Sequence, residues 1–367
     1  MEPVARRPRT ARLGETRDEI GVRESLFVQN GPTRLHVLVD GPVGGGTPIL
    51  CVHGFPEIAE SWRFQLVHFA AAGRRIAAMD VRGYGTSDAP RAIEAYRMAT
   101  ICEDVAAVID RLGGRAILFG HDWGAPITWH TALRHPDKVV AVASLAVPYM
   151  PVGDVNPLDL QRRAADSQFF YQLYFQQPGV AEAELEADPD PLGKIYYTFS
   201  GALKQGFAGH PGPDLLTVDG VPRPDRFPDW MTFKGKDAPY LDDMVLPARF
   251  PAWMDEAYME TSRAAFRRSG WHGALNRYRA QDIDFAERAP VANRTLDQPS
   301  CFIAGTLDVS RAQVRGFDLY GNPGAHCADY RGTTLIEDVG HWVQHEAAER
   351  VNEEIVRFLT RETRVDA

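Results

Sequence analysis

The sequence lacks the features that mark membrane and secreted proteins. No run approaches the roughly 18 apolar residues that a membrane-spanning helix needs, so we expect no membrane span. The arginine-rich stretch 1–24 has no apolar segment of the kind found in secretory signals, and its acidic residues disfavour a transit peptide. We therefore predict a mobile N-terminal tail at 1–24 and a cytoplasmic location.

Cysteine is also scarce, and the few present show no CxxC pair that would indicate a metal or redox site. Two of them fall in apolar runs typical of strands, so buried free thiols are expected. No phosphate loop or metal-ligand cluster is visible, and we expect no cofactor. The net charge of -9 argues against nucleic acid or an anionic membrane as a partner. The cysteines are Cys51, Cys102, Cys301 and Cys327.

What the chain does have is a regular alternation of continuous apolar runs with segments of helical periodicity. Such runs indicate an α/β fold with a mostly parallel sheet, covered by helices on both faces. From 151 to 285 the sequence turns aromatic, proline-rich and helical, and the strand pattern then resumes at "QPSCFIAGTLD". We predict a core formed by 25–150 and 286–367, with a helical cap inserted at 151–285.

The stretch "FGHDWGAPITW" is typical of a nucleophile elbow, in which a strand turns sharply into a helix. Gly120 and Gly124 flank Asp122, and a turn this tight leaves room only for small residues at those positions. The turn raises the central side chain over the edge of the sheet where ligands bind. Aspartate is also a good helix cap, but a cap alone does not require both glycines. We predict that Asp122 is the nucleophile.

A second turn, "HGFP", follows a strand that should lie beside the elbow. We expect the backbone N–H of Phe55 and that of Trp123, just after the nucleophile, to form an oxyanion hole. Alone, the HGFP turn could be the end of any strand, and it indicates an oxyanion hole only in combination with the elbow.

A histidine and a second acid complete the predicted constellation. His341 follows the last strand and comes after Asp122, in the order nucleophile, acid, histidine. His345 is a poorer candidate because it already lies in the next helix. Asp308 ends the strand in "IAGTLD", whereas Asp338 lies too near His341 in the sequence to face its ring easily. We predict His341 as the general base and Asp308 as the acid that orients it.

An aspartate nucleophile restricts the possible substrates. With an ordinary pKa of about 3.9, the carboxylate is already an anion at neutral pH. Attack on an ester would give a strained anhydride, whereas attack on a saturated electrophilic carbon gives an ordinary ester. The elbow therefore predicts an alkyl electrophile, either an epoxide or an alkyl halide.

The motifs "HGFPE", "DVRGYGTSD", "GHDWGA", "YQLYFQQPGVAEAELE" and "GHWVQHEAAERVN" resemble those of epoxide hydrolases of the α/β-hydrolase fold, across roughly 25 to 362. The resemblance implies an eight-stranded sheet and the addition of water to an epoxide to give a vicinal diol. It also implies two cap tyrosines that point at the epoxide oxygen, Tyr278 and Tyr171, with Tyr174 as an alternative to the latter. Candidate substrate-binding residues are His53, Pro56, Phe170, Gln172 and Trp342.

Two alternatives remain at this stage. Haloalkane dehalogenases share "GHDWG" but usually place asparagine or tryptophan after "HG", where this chain has Phe55, and a halide needs no tyrosine to protonate it. A non-catalytic binding protein could reuse the fold, although the intact triad argues against it. The aromatic cap predicts a small apolar epoxide as the partner. We expect a monomer or a homodimer.

Overall fold

The computed structural model describes most of the chain, including the last two residues of the predicted tail; the rest of that tail lies outside the described residues. Arg23 forms an ion pair with Glu60, and Glu24 begins the first strand. The described residues are 23–165, 169–203, 217–218, 221–222, 235–313 and 318–362.

Ten strands occur in the described parts of the chain, and eight of them form one sheet. In chain order they are β1 Glu24–Asn30, β2 Thr33–Asp40, β3 Ile49–Val52, β4 Ile76–Met79, β5 Ala116–His121, β6 Val139–Leu145, β7 Thr217–Val218, β8 Val221–Pro222, β9 Ser300–Gly305 and β10 Tyr330–Ile336.

The large sheet has the order β1-β2-β4-β3-β5-β6-β9-β10. The β1-β2 hairpin and the β2-β4 pair are antiparallel, and every pair from β4 to β10 is parallel. The remaining two strands, β7 and β8, pair only with each other. The predicted α/β fold with a mostly parallel, eight-stranded sheet is confirmed.

The central strands are buried on both faces, which is why they read as unbroken apolar runs. Because successive side chains of a strand point to opposite faces, β3 contributes to two separate cores. Leu50 and Val52 pack into the cluster on one face, and Ile49 and Cys51 pack into the cluster on the other. All four cysteines are free, as predicted.

Helices cover the sheet and also make up much of the described chain between β6 and β9. Helix α2 ends at Gly113, whose φ of +123° is easily adopted only by glycine. The helices are α1 Arg63–Ala71, α2 Met98–Leu112, α3 Gly124–Arg134, α4 Pro157–Ala165, α5 Tyr171–Tyr174, α6 Val180–Ala187, α7 Pro191–Thr198, α8 Glu256–Ser269, α9 His272–Arg279, α10 Gln281–Ala286, α11 Val343–Glu346 and α12 Ala348–Glu362.

The chain between β6 and β9 adds no described residue to the large sheet and contains α4 to α10. This element order agrees with a cap at 151–285, whose boundaries stay a prediction. A short 3₁₀ helix, Val309–Ala312, follows β9 and carries part of the site. Over the described ranges, no helix combines the length and apolar composition that crossing a bilayer would require.

Candidate active site

The predicted elbow is present as a strand, a tight turn and a helix. Asp122 follows β5 directly, and α3 begins two residues later at Gly124. Its φ of +50° lies in the left-handed region, which aspartate tolerates better than most residues. A Cβ at Gly120 would collide with the carbonyl of Gly124, and one at Gly124 would collide with the carbonyl of Val52. Both glycines are therefore required by close backbone approach.

The HGFP turn lies against this elbow. The backbone N–H of Phe55 donates to Oδ1 of Asp122 at 2.7 Å. A Cβ added at Gly54 would overlap that carboxylate and lie 2.6 Å from the backbone nitrogen of Trp123. The structure thus places the Phe55 N–H on the carboxylate of Asp122 and the backbone nitrogen of Trp123 against the same turn.

The imidazole of His341 lies between two carboxylates. Its Nδ1 is 3.0 Å from Oδ1 of Asp308, and its Nε2 is 3.6 Å from Oδ2 of Asp122. Asp308 is fully buried and also contacts the Ser310 N–H at 2.9 Å and the Tyr320 hydroxyl at 2.8 Å. The predicted nucleophile, histidine and acid therefore form one continuous chain of contacts.

These contacts shift the pKa values of His341 and Asp308. Burial alone would lower the pKa of His341, but the carboxylate of Asp308 and the contact with Asp122 raise it well above the ordinary value. Burial opposes ionisation of Asp308, yet His341 and the other donors bring its pKa below the ordinary value. Both shifts have the same cause, which is the contact of the His341 ring with the neighbouring carboxylates.

Two cap tyrosines lie over the elbow. The ring centroids of Tyr171 and Tyr278 are 5.9 Å apart, and Tyr278 packs edge-on against Trp123 at 5.3 Å. Burial raises the pKa of each phenol, so both are neutral donors at neutral pH. Tyr174 instead donates its hydroxyl to Glu184 at 2.7 Å. The geometry thus places Tyr171 rather than Tyr174 at the site.

The side chains enclose one cavity above Asp122. Six of the residues predicted from the sequence line it: Phe55, Asp122, Tyr171, Tyr278, His341 and Trp342. Six residues that the sequence did not suggest complete its wall: Ile195, Phe199, Tyr240, Val309, Ser310 and Gln313.

Four of the five candidate substrate-binding residues are not in this wall, and only Trp342 is. His53 requires a correction. It is fully buried, and its two ring nitrogens contact the carbonyl of Gly54 at 2.9 Å and the N–H of Val81 at 3.1 Å. Both nitrogens are occupied by backbone, so His53 supports the turn and does not face a substrate.

The other three lie close to the wall without forming it. Pro56 follows Phe55 across a cis peptide bond, and its carbonyl accepts from the Tyr196 hydroxyl at 3.3 Å. Phe170 is buried beside Tyr171, with ring centroids 5.2 Å apart. Gln172 contacts the Tyr171 hydroxyl rather than the cavity.

A buried polar group supports the main chain of the histidine. His121 contacts the carbonyl of His341 through Nε2 at 2.8 Å and Oε2 of Glu57 through Nδ1 at 2.7 Å. Both ring nitrogens of His121 are therefore engaged. Burial opposes ionisation of the Glu57 carboxyl, yet the contacts with His121 and His345 bring its pKa well below the ordinary value. The group was not anticipated, although Glu57 is part of "HGFPE".

The chain is similar in sequence to known proteins over most of its length. The sequence profile of the α/β hydrolase fold matches residues 47–188. Epoxide hydrolase A of Mycobacterium tuberculosis is 36% identical over 352 residues, which cover 93% of this chain and 98% of that protein. The chain belongs to the epoxide hydrolase family. Bifunctional epoxide hydrolase 2 of Rattus norvegicus is 32% identical over 90% of this chain and 54% of its own length.

Solved structures of epoxide hydrolases share this fold over most of the chain. One from an endophytic Streptomyces is 37% identical, has a TM-score of 0.79, and is matched over 92% of this chain and 95% of that one. Epoxide hydrolase A from Mycobacterium thermoresistibile is 34% identical with a TM-score of 0.78, and the match covers 92% of this chain and 98% of that one. The resemblance carried by the sequence motifs is confirmed. Within the described ranges, no cluster of three or more His, Cys, Asp or Glu side chains could hold a metal ion.

Proposed function

We propose that this protein adds water to an epoxide and releases a vicinal diol, through an ester formed on Asp122. One observation carries the proposal: a carboxylate on an elbow lies between backbone donors, a histidine and two phenols. Its Oδ1 accepts from the N–H of Phe55 at 2.7 Å, and its Oδ2 is 3.6 Å from Nε2 of His341. Membership of the epoxide hydrolase family supports the same reaction.

The first step forms the ester. An oxygen of Asp122 attacks a ring carbon, the carbon–oxygen bond of the epoxide breaks, and its electron pair moves to the ring oxygen. That oxygen would be a poor leaving group as a free alkoxide, so a proton donor is needed. Tyr171 and Tyr278 donate to it, because burial keeps both phenols neutral.

The second step breaks the ester. His341 takes a proton from water, and the hydroxide adds to the carbonyl carbon of the Asp122 ester. The N–H groups of Phe55 and Trp123 stabilise the resulting oxyanion. Collapse of the oxyanion breaks the bond between the carbonyl carbon and the alkyl oxygen, which takes the proton held by His341. The regenerated carboxyl group, with one oxygen from water, gives its proton to the tyrosinate left by ring opening, and the diol leaves.

Ester formation itself prepares His341 for this role. In the resting site, the contact with Asp122 is one of the causes that raise the pKa of His341. The ester is neutral, so that contribution disappears once Asp122 is alkylated. The pKa of His341 then falls and Nε2 becomes available as a base.

The dehalogenase alternative is less well supported. Phe55 presents its backbone N–H to Asp122, and its side chain, which has no donor for a halide, packs edge-on against Tyr278 at 5.4 Å. An alkyl halide would need no proton from either phenol, because a halide leaves as an anion. The aromatic wall suits a small apolar epoxide. A cytoplasmic location and a monomeric or homodimeric state remain part of this proposal and rest on the sequence.

Single turnover in water enriched in heavy oxygen tests the ester. With enzyme in excess over epoxide, the heavy oxygen should enter Asp122, detected in its peptide by mass spectrometry, while the diol stays unlabelled. A labelled diol in the first turnover would exclude the covalent route. The double variant Tyr171→Phe and Tyr278→Phe separates the substrate classes: it should lose epoxide opening, whereas halide release at the parental rate from a haloalkane would favour a dehalogenase.

A further inference from the structure

The hydroxyl of Tyr171 is contacted by two side-chain amides. Nε2 of Gln313 donates to it at 2.5 Å, and Nε2 of Gln172 donates to it at 3.0 Å. A phenol oxygen that accepts twice keeps its own hydrogen for a third partner. Gln313, Tyr171 and Asp122 line the same cavity, so a molecule bound above Asp122 can be that third partner.

The amide of Gln172 has its orientation fixed by a neighbour. Its Oε1 accepts from Nε2 of Gln281 at 3.3 Å, and the same Gln281 nitrogen donates to the carbonyl of Tyr278 at 3.1 Å. With its oxygen engaged, Gln172 offers its nitrogen to Tyr171. The Tyr171 hydroxyl therefore has an acceptor role on the Gln172 side whether or not a substrate is present.

Gln313 reaches the tyrosine from the other side, and its main chain is held at both ends. Its N–H donates to the carbonyl of Ser310 at 3.2 Å, in the short helix that Asp308 caps. Its carbonyl accepts from Nε2 of Gln161, on α4, at 3.3 Å. The main chain of Gln313 is thus fixed relative to both the triad acid and the cap.

We propose that Gln313 is a positioning residue for ring opening: it directs the Tyr171 hydrogen into the cavity and strengthens Tyr171 as a donor. The inference rests on the proposed function. An N–H that donates to a phenol oxygen stabilises negative charge there, and such charge develops as the epoxide oxygen takes the hydrogen. Burial raises the pKa of Tyr171, and the two amide donors act in the opposite direction.

The test separates ester formation from ester hydrolysis. Gln313→Leu removes the donor at similar size, and the two rate constants are measured by rapid quench in single turnovers. Loss of one hydrogen bond to a group that develops charge should slow ester formation roughly tenfold. Hydrolysis should change less than about twofold, and the alkaline limb of the ester-formation profile should move to higher pH. Gln29→Leu, on the exposed strand β1, is the matched control and should change neither step.

A double-mutant cycle with Tyr171→Phe distinguishes positioning from packing. Gln313→Leu should slow ester formation only while Tyr171 is present. An equal slowing in both backgrounds, or an equal slowing of both steps, overturns the inference. If Tyr171→Phe is slow but Gln313→Leu is normal, the inference fails and the proposed function stands. If Tyr171→Phe leaves ester formation unchanged, the donor role of Tyr171 fails and the inference falls with it.

A second variant covers the case in which leucine is not tolerated. In Gln313→Glu the carboxylate accepts the Tyr171 hydrogen and draws it away from the cavity, so ester formation should slow by at least the same factor. Thermal unfolding of each variant shows whether the fold is retained. Parental rates of ester formation in a folded Gln313→Glu protein overturn the proposal.

Discussion

Replacing Asp308 by asparagine should separate the two halves of the reaction. The carboxylate is fully buried and contacts Nδ1 of His341 at 3.0 Å. An amide can occupy the same place: its oxygen can accept from His341 and from the Ser310 N–H, while its nitrogen faces the Tyr320 hydroxyl. That hydroxyl also lies 2.6 Å from the carbonyl of Ala146, to which it can donate its one hydrogen. The variant should therefore fold and lose mainly the negative charge.

The size of the effect follows from the bond that is weakened. A hydrogen bond to a charged group contributes about 1.5–3 kcal/mol, and 1.36 kcal/mol corresponds to a factor of ten. Ester hydrolysis needs a positive charge on His341, so Asp308→Asn should slow it by roughly 10- to 150-fold. Ester formation uses Asp122 and the two cap tyrosines, so it should change by less than about threefold. The ester on Asp122 should accumulate.

Rapid-quench mass spectrometry of the peptide that contains Asp122 measures this accumulation, and the decay of the adduct gives the hydrolysis rate constant. Asp338→Asn is the control, because Asp338 is an exposed acid three residues before His341 and should leave both steps unchanged. An unchanged hydrolysis rate in Asp308→Asn, or a slow variant without adduct, would refute the role given to Asp308.

Three further predictions concern charge, packing and the cap. The folded-state pKa of His341 is raised, so its protonation stabilises the fold fully below about pH 6.5. This contribution is lost as the pH rises through the raised value. In Asp122→Asn, urea unfolding should show the loss at lower pH than in the parent protein, and identical pH curves would contradict this. Gly120→Ala should cost about 1–3 kcal/mol in the same assay, whereas Gly153→Ala, with open space around its Cβ, should stay within about 0.5 kcal/mol. Tyr174→Phe should leave ester formation unchanged, and a slow variant would reopen the choice between the two tyrosines.

The parts of the site that could be predicted from sequence share a topological cause. Asp122 directly follows β5, Asp308 comes three residues after the end of β9, and His341 comes five residues after the end of β10. Because these strands are parallel, all three residues lie at the same edge of the sheet. Continuous apolar runs identify the strands, and glycine spacing identifies the elbow. Chain order then assigns each residue a place without knowledge of side-chain packing.

Side-chain direction within a turn is not determined in this way. His53, the first residue of the HGFP turn, is a candidate substrate-binding residue on sequence alone. In the structure, its ring lies beneath the turn, where the Val81 N–H and the Gly54 carbonyl are available to it. Phe170 and Gln172 show the same limit in the cap, since being next to Tyr171 in sequence does not place a side chain on the cavity wall.

The unanticipated wall residues come from segments without a motif, and their position depends on how the cap packs on the core. Tyr240 reaches the wall by packing against Phe175 with ring centroids 4.9 Å apart, and Phe175 in turn packs against Tyr278 at 5.1 Å. Gln313 reaches it from the segment after Asp308, on the core side. A single hydroxyl, that of Tyr171, therefore receives contacts from cap and core together, and its direction depends on their docking. Substitutions at the interface between cap and core should thus affect ring opening before they affect ester hydrolysis, which relies on residues fixed by the sheet.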